Sequence, residues 1–286
     1  AQAELVSSLA LIAERAERVE RVEPATTARQ TIARPRIGLV RPWGSSMDEG
    51  WTRWVLEQYG FEIVVLRPAD FRAPLREKVD IVILTEDGRL PVAATGSGDA
   101  GGGLGSGAAP GARAVRPEYA DVVTPEDLAR FDQFVRGGGT VVCLGGASTF
   151  AIAQFKLPVR NVVAGLKPEE FFLRGSLVEV TTDPSHQVMA GMPEKAAVFV
   201  DGSPIFETLE GFNGRVLAKY QETGSPLLSG FLIGEKHLHG KAAALDVRLD
   251  QGHVVLLGFR PQWRGQPFGT LRVLFNSALY TRPPAE

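Results

Sequence analysis

An α/β fold, in which a mainly parallel sheet is covered by helices on both faces, is what this sequence predicts, and three observations predict it. Past Arg36, short β-branched runs alternate with segments of helical periodicity. Cap residues, proline and glycine stand where helices should start and stop. Near the end, the apolar run from His253 to Phe259 breaks off at Arg260-Pro261-Gln262, as a buried strand does when it delivers polar side chains to the rim of a sheet. With 286 residues and 44% hydrophobic content, the chain is long enough to bury a full core.

Residues 1 to 24 are expected to form an amphipathic connector helix, because Leu5, Leu9, Ile12, Ala16 and Val19 recur at three- and four-residue steps and Pro24 ends the pattern. Its apolar stripe calls for a partner surface: the same domain, another copy, or an upstream domain. Residues 25 to 35 read as a linker and residues 36 to 286 as the α/β domain. Ile37 to Val40 is the first strand. Ser46-Met-Asp-Glu49 has capping-box spacing and opens a helix through Trp51, Trp54, Val55 and Gln58 that stops at Gly60. Glu62 to Leu66 and Asp80 to Leu84 follow as strands.

Between Val92 and Ala114 the sequence is almost wholly Gly, Ala and Ser, a composition that packs no core and predicts a flexible surface insertion. It lacks the Gly-Lys-Ser/Thr ending and the spacing of a nucleotide-binding loop, so no cofactor is expected there or elsewhere. Thr124-Pro125-Glu126-Asp127 supplies a cap, a proline at the first helical position and acids beside the positive end of the helix dipole. That helix ends at Gly137, Thr140 to Leu144 is the next buried strand, and a short helix through Phe150, Ile152 and Phe155 follows. The C-terminal half adds antiparallel strands at Ser176 to Thr181, Ala197 to Val200 and Val216 to Tyr220. Ala242 to Val247 and His253 to Phe259 read as a hairpin turning at Asp250-Gln-Gly252, and a helix from Thr270 to Tyr280 closes the domain.

Thirty-one basic against 33 acidic residues, a net charge of -2 and no lysine-rich block make nucleic acid an unexpected partner. The single cysteine, Cys143, leaves no internal disulfide framework and no cysteine-built zinc site. No apolar stretch reaches the roughly 20 residues that span a bilayer. A start at Ala1-Gln2-Ala3 reads as a processed product or a piece of something longer.

Ligands of open α/β sheets sit at the carboxyl ends of the strands. The loops that qualify are Arg41 to Asp48, Gly145 to Thr149 and Arg260 to Gln266. In the first, aromatics, acids and arginines crowd one strand-to-helix turn, which marks either a pocket or an amphipathic helix whose Trp51 and Trp54 are core. In the second, Cys143 lies inside the strand as a buried thiol, and Ser148 is expected to cap the following helix. His237 and His239 alternate as two residues on one strand face would, and read as a polar hairpin face, not a metal pair. The ligand-binding candidates are therefore Arg41, Trp43, Ser46, Asp48, Glu49, Gly146, Ser148, Arg260, Gln262 and Arg264, with no catalytic residue and no metal ligand among them.

Phe259-Arg-Pro-Gln262 resembles the place where class I glutamine amidotransferases carry Phe-His-Pro-Glu, with arginine in the histidine slot and glutamine in the glutamate slot. An arginine keeps its proton at physiological pH and shuttles none. The elbow resembles theirs too, but holds Cys143-Leu-Gly-Gly-Ala-Ser148 where they carry Gly-x-Cys-x-Gly. Together with Arg41-Pro-Trp43, Ser46 to Trp54, Leu157-Pro-Val-Arg-Asn161, Gly191-Met-Pro193, Asp201-Gly-Ser-Pro204 and Pro226 to Gly230, these motifs resemble the C-terminal amidotransferase-like region of bacterial zinc-carboxypeptidase-like proteins. The resemblance implies a flavodoxin-like sheet, an upstream metallopeptidase domain and export from the cytoplasm; that family's zinc ligands match no position here.

Three functions are open to such a chain. The leading one is a non-catalytic accessory module that binds a small-molecule or peptide ligand or organises a larger peptidase polypeptide. A second is a hydrolase with Asp48 or Glu49 as base and Arg260 or Arg264 stabilising an oxyanion. A third is a homo-oligomerisation platform that uses the first helix and the Pro261 to Phe268 segment.

Overall fold

The computed structural model describes residues 34–44, 46–86, 90 and 121–281. The expected connector helix, the linker as far as residue 33 and the glycine-rich insertion at 92–114 lie outside them. Four strands come first: β1 (Ile37–Val40), β2 (Ile63–Leu66), β3 (Ile81–Leu84) and β4 (Thr140–Leu144). The antiparallel half holds β5 (Val159–Asn161), β6 (Phe172–Leu173), β7 (Ser176–Thr182), β8 (Lys195–Val200) and β9 (Phe206–Thr208). It continues through β10 (Gly214–Lys219), β11 (Leu227–Ser229), β12 (Leu232–Ile233) and β13 (Ala242–Leu249), and β14 (Gly252–Leu257) then returns to the parallel set. The helices are α1 (Met47–Gln58), α2 (Pro125–Arg136), α3 (Ala147–Gln154) and α4 (Phe268–Ala278).

The parallel strands run in the order β2-β1-β3-β4-β14, and β13, β10, β7 and β11 extend the sheet antiparallel beyond β14. Counting β14 as the fifth parallel strand, this is the 2-1-3-4-5 order of a flavodoxin-like sheet, whose strand order reverses between the first and third strands. The fold class expected from the sequence is the one observed. Side chains alternate across the sheet into two cores. Ile37, Leu39, Ile83, Val142, Leu144 and Leu257 face α1 and α4 through Val55, Leu56, Leu271 and Leu274. Val82, Leu84, Val141, Cys143 and Leu256 face α2 and α3 through Phe131, Val135, Ala147 and Ala151.

Local chemistry sets the boundaries. At α2 the capping box is complete: Asp127 N–H donates to Thr124 Oγ1 at 3.2 Å and Thr124 N–H donates to Asp127 Oδ2 at 2.9 Å. At α1 only half of the expected box forms: Glu49 N–H donates to Ser46 Oγ at 3.0 Å, but the Glu49 carboxylate turns to Arg53. The hairpin turns through Asp250 and Gln251, and Gly252 is required where it stands because a methyl carbon there would overlap the Val135 carbonyl of α2. The expected polar hairpin face at His237 and His239 is not a strand. His237 ends a 3₁₀ turn with its ring edge-on to Phe171, and His239 Nε2 lies 2.9 Å from the Gly224 carbonyl, because Gly234 at φ 77° breaks the extended path after β12. Among the described residues no helix is long and apolar enough to cross a membrane, and no three His, Cys, Asp or Glu side chains form a group that could hold a metal ion.

At the amino end of β14 a buried polar knot joins distant segments. The Asp246 carboxylate of β13 meets His186 Nε2 at 3.3 Å, His253 Nδ1 at 3.0 Å and the Tyr280 hydroxyl at 2.8 Å. Val188 N–H donates to His186 Nδ1 at 3.2 Å, which places the ring proton on Nε2, facing the carboxylate. Burial pushes the Asp246 carboxyl up, but the hydrogen bonds from His186, His253 and Tyr280 outweigh it and hold the group down at about 2. A depressed carboxyl stabilises the fold above its unfolded value near 3.9, and that contribution is lost as pH falls through the folded value. Asp246→Asn is therefore expected to cost about 2 kcal/mol near neutral pH, with the gap to wild type closing between about pH 4 and about pH 2. Urea midpoints measured across that range check this, and a gap independent of pH would remove the electrostatic account.

Candidate functional site

The loops after β1, β3, β4 and β14 meet at the carboxyl end of the sheet, beside the reversal of strand order. Arg260 is their common point. Its side chain is nine-tenths buried, and Nη1 donates to Asp48 Oδ2 at 3.2 Å, on the first turn of α1. Nη2 lies 3.6 Å from Glu86 Oε2 in the loop after β3 and 3.8 Å from Asp201 Oδ2 in the loop after β8. The guanidinium also sits 4.6 Å above the Trp263 ring, which stacks on Phe199 at 5.3 Å. Gln262 is 1% exposed; its Nε2 donates to Thr52 Oγ1 at 3.0 Å, and Thr52 Oγ1 donates to the Asp48 carbonyl at 2.6 Å.

The turn after β4 has the strand-to-helix geometry of a nucleophile elbow, with the sharp position at Gly145, φ 55°. That position bears no side chain, and its place is taken: a methyl carbon built on Gly145 would overlap Glu86 Oε2. The next amide, which in such an elbow would face an oxyanion, donates instead from Gly146 N to Glu86 Oε2 at 2.7 Å. One carboxylate from the neighbouring loop thus covers both the nucleophile position and the oxyanion donor.

Several expectations change at this point. Ser148 does not cap α3. It lies within the first turn, completely buried, and its hydroxyl donates to the Cys143 carbonyl at 3.3 Å, because Gly146, not Ser148, occupies the cap position. Cys143 is a core side chain, and burial pushes its thiol well above the ordinary range. Trp51 is half-buried and Trp54 is 49% exposed, so neither is the core residue that the amphipathic reading of α1 assigned.

Of the ten candidates, Asp48, Gly146 and Arg260 come together around Glu86, and Gln262 joins them through Thr52. Arg41, Trp43, Ser46 and Glu49 form an outer rim: Glu49 receives Arg53 Nε at 3.0 Å and lies 3.6 Å from Arg41 Nε, while Arg67 covers Trp43. Arg264, at φ 49°, turns outward over Trp263. For the hydrolase arrangement, each proposed base is already engaged by a guanidinium: Asp48 by Arg260, Glu49 by Arg53.

Sequence reading missed Glu86, Asp201 and Thr52. The first two stand just past strands whose carboxyl ends line the crevice, which is the signal that finds them. Thr85 Oγ1, Ser203 Oγ, Arg260 Nε and Gln262 Oε1 are buried there without a hydrogen-bond partner among the described residues. A cavity of about 340 Å³, lined by Arg36, Tyr59, Phe61 and Leu279, opens instead at the amino end.

Removing one member of a buried ion pair strands the other. Arg260→Met is expected to destabilise the fold by roughly 3 kcal/mol, and Asp48→Asn combined with Arg260→Met to recover much of that loss. Denaturant titration of the single and double variants measures the coupling, and strictly additive losses would show that the pair is not a tie.

No family model matches the chain, and no curated protein matches it. Solved structures similar to it include a Thermoplasma acidophilum protein named after one component of GMP synthase, 11% identical with a TM-score of 0.49 over 86% of this chain and 94% of that one. A cytoplasmic protein of Salmonella typhimurium is 11% identical at TM-score 0.48, covering 86% of this chain and 98% of its own. A ThuA-like protein of Bacteroides uniformis is 11% identical at TM-score 0.42, covering 89% and 93%. The fold class itself, a flavodoxin-like and class I amidotransferase-like sheet, rests on the strand order and the elbow of this chain.

Proposed function

We propose that this chain is a non-catalytic, class I amidotransferase-like accessory domain, which organises or recognises partners for a larger polypeptide. One observation carries the reading: Glu86 fills the elbow over Gly145 and accepts from Gly146 N, where a nucleophile and an oxyanion would have to be. With arginine in the histidine slot, the described residues of the crevice include no imidazole to move a proton at the elbow. A small polar ligand in the crevice is a second reading, favoured by the unpaired polar atoms of Thr85, Ser203, Arg260 and Gln262. The larger polypeptide is proposed to be of the zinc-carboxypeptidase-like kind, exported from the cytoplasm, on the strength of the motif series from Arg41-Pro-Trp43 to Phe259-Arg-Pro-Gln262.

Purified protein is expected to turn over neither glutamine, nor simple esters, nor peptides, and Ser148→Ala to change nothing in those assays. Hydrolysis that disappears in Ser148→Ala or Cys143→Ala, with the fold intact by circular dichroism, would overturn the reading.

A further inference from the structure

All four tryptophans of the chain lie on the loop after β1, on α1 and on the loop after β14. Trp43 lies with Arg67, Arg41 and the Glu49–Arg53 ion pair, and Trp51 and Trp54 meet edge-on at 5.5 Å beside the Trp263–Gly265 turn. Arg67 lies 4.1 Å over Trp43 and donates to the carbonyls of Arg41 and Pro42 at 3.1 and 2.8 Å. Arg41 and Arg53 flank Glu49 on α1, and a methyl carbon at Gly265 would lie 3.2 Å from Trp54 and 3.6 Å from Trp51. Arg264 covers Trp263 at 5.0 Å. Several side chains of these segments face solvent: Trp54 is 49%, Met47, at the start of α1, 43% and Phe268, at the start of α4, 72% exposed.

Single exposed apolar residues need no explanation, but exposed Trp, Phe and Met beside several arginines on these neighbouring segments have the composition of the energetic centre of a protein interface. Its charge narrows the partner. Among the described residues, the guanidinium groups of Arg41, Arg53, Arg67 and Arg264 stand against two rim carboxylates, Glu49 and Glu57; Asp70, near Arg67, is held by Lys78 at 2.6 Å. Burial lowers the proton affinity of Arg67, and the like charge of Arg41 lowers it further, so an incoming carboxylate would relieve a repulsion already present. A basic segment would add to that repulsion. A second copy docked by the same face would set two positive rims against each other.

We infer that the rim carrying Arg41, Arg53, Arg67, Arg264, Trp54 and Phe268 docks an acidic segment of a protein partner, its carboxylates on the arginines and its apolar side chains against Trp54 and Phe268. The inference rests on the reading of the domain as non-catalytic, since such a domain acts through its surfaces. The test uses the full chain and a pool of synthetic octapeptides in which Glu alternates with Phe or Leu, with Lys-for-Glu versions and an oligothymidylate as comparators. Tryptophan emission reports the rim directly, and calorimetry gives the affinity. The expected result is saturable binding of acidic peptides, weakened by salt and at least tenfold in Arg41→Glu and in Phe268→Ser. Phe268 is exposed, so its variant should keep its melting temperature; Arg41 pairs with the buried Glu49 carboxylate, so should Arg41→Glu unfold, Arg264→Glu replaces it. No saturable binding of any acidic peptide, equal binding of the Lys versions, tighter binding of the oligothymidylate, or self-association abolished by Phe268→Ser would each overturn the inference. Turnover assayed on the same preparation tests the non-catalytic reading separately, because it does not depend on whether peptides bind.

Discussion

The buried contact between Arg260 and Asp48 is the constraint around which the carboxyl end of this domain is arranged. A guanidinium taken out of water must be repaid by close opposite charge and hydrogen bonds. Here the compensation comes from α1 through Asp48, from the loop after β3 through Glu86 and from the loop after β8 through Asp201. The cation therefore does what a proton shuttle at the same place could not: it binds three separate segments at once and holds them at any physiological pH. Gln262 extends the tie sideways to Thr52, so α1 is fixed at two points along its buried face.

β14 carries a second anchor at its other end, where His253 joins the Asp246 knot with His186 and Tyr280. The central strand of the enlarged sheet is thus pinned at both ends by polar side chains, with a purely apolar middle, Val254 to Leu257, packed into both cores. The two anchors differ in kind. One is a carboxylate held by two imidazoles and a phenol, the other a guanidinium held by carboxylates.

The parallel strands were legible because strands buried on both faces must be written in β-branched and aliphatic residues, as Ile37 to Val40, Ile81 to Leu84 and Thr140 to Leu144 are. Strands of two or three residues, such as β6 and β12, leave no period to detect. Arg260, Gln262 and Asp48 were named as candidates because loops at the carboxyl ends of strands are where polar side chains converge, and the structure gathers them there. Glu86 was not, since it lies just past the end of β3 without a motif around it, and Ser148 was misread because α3 begins at Ala147, with Gly146 in the cap position. The tryptophans of α1 show the same limit from the other side. Their spacing fits burial, but the segment from Trp263 to Gly265 leaves Trp54 half in solvent.

The position of Glu86 over Gly145 also limits which side chains the elbow can accept. A thiol at Gly145 would collide with that carboxylate, since a carbon built there overlaps Glu86 Oε2. Any side chain at Gly145 needs Glu86 to move first, so a change at the elbow is tied to a change in the loop after β3.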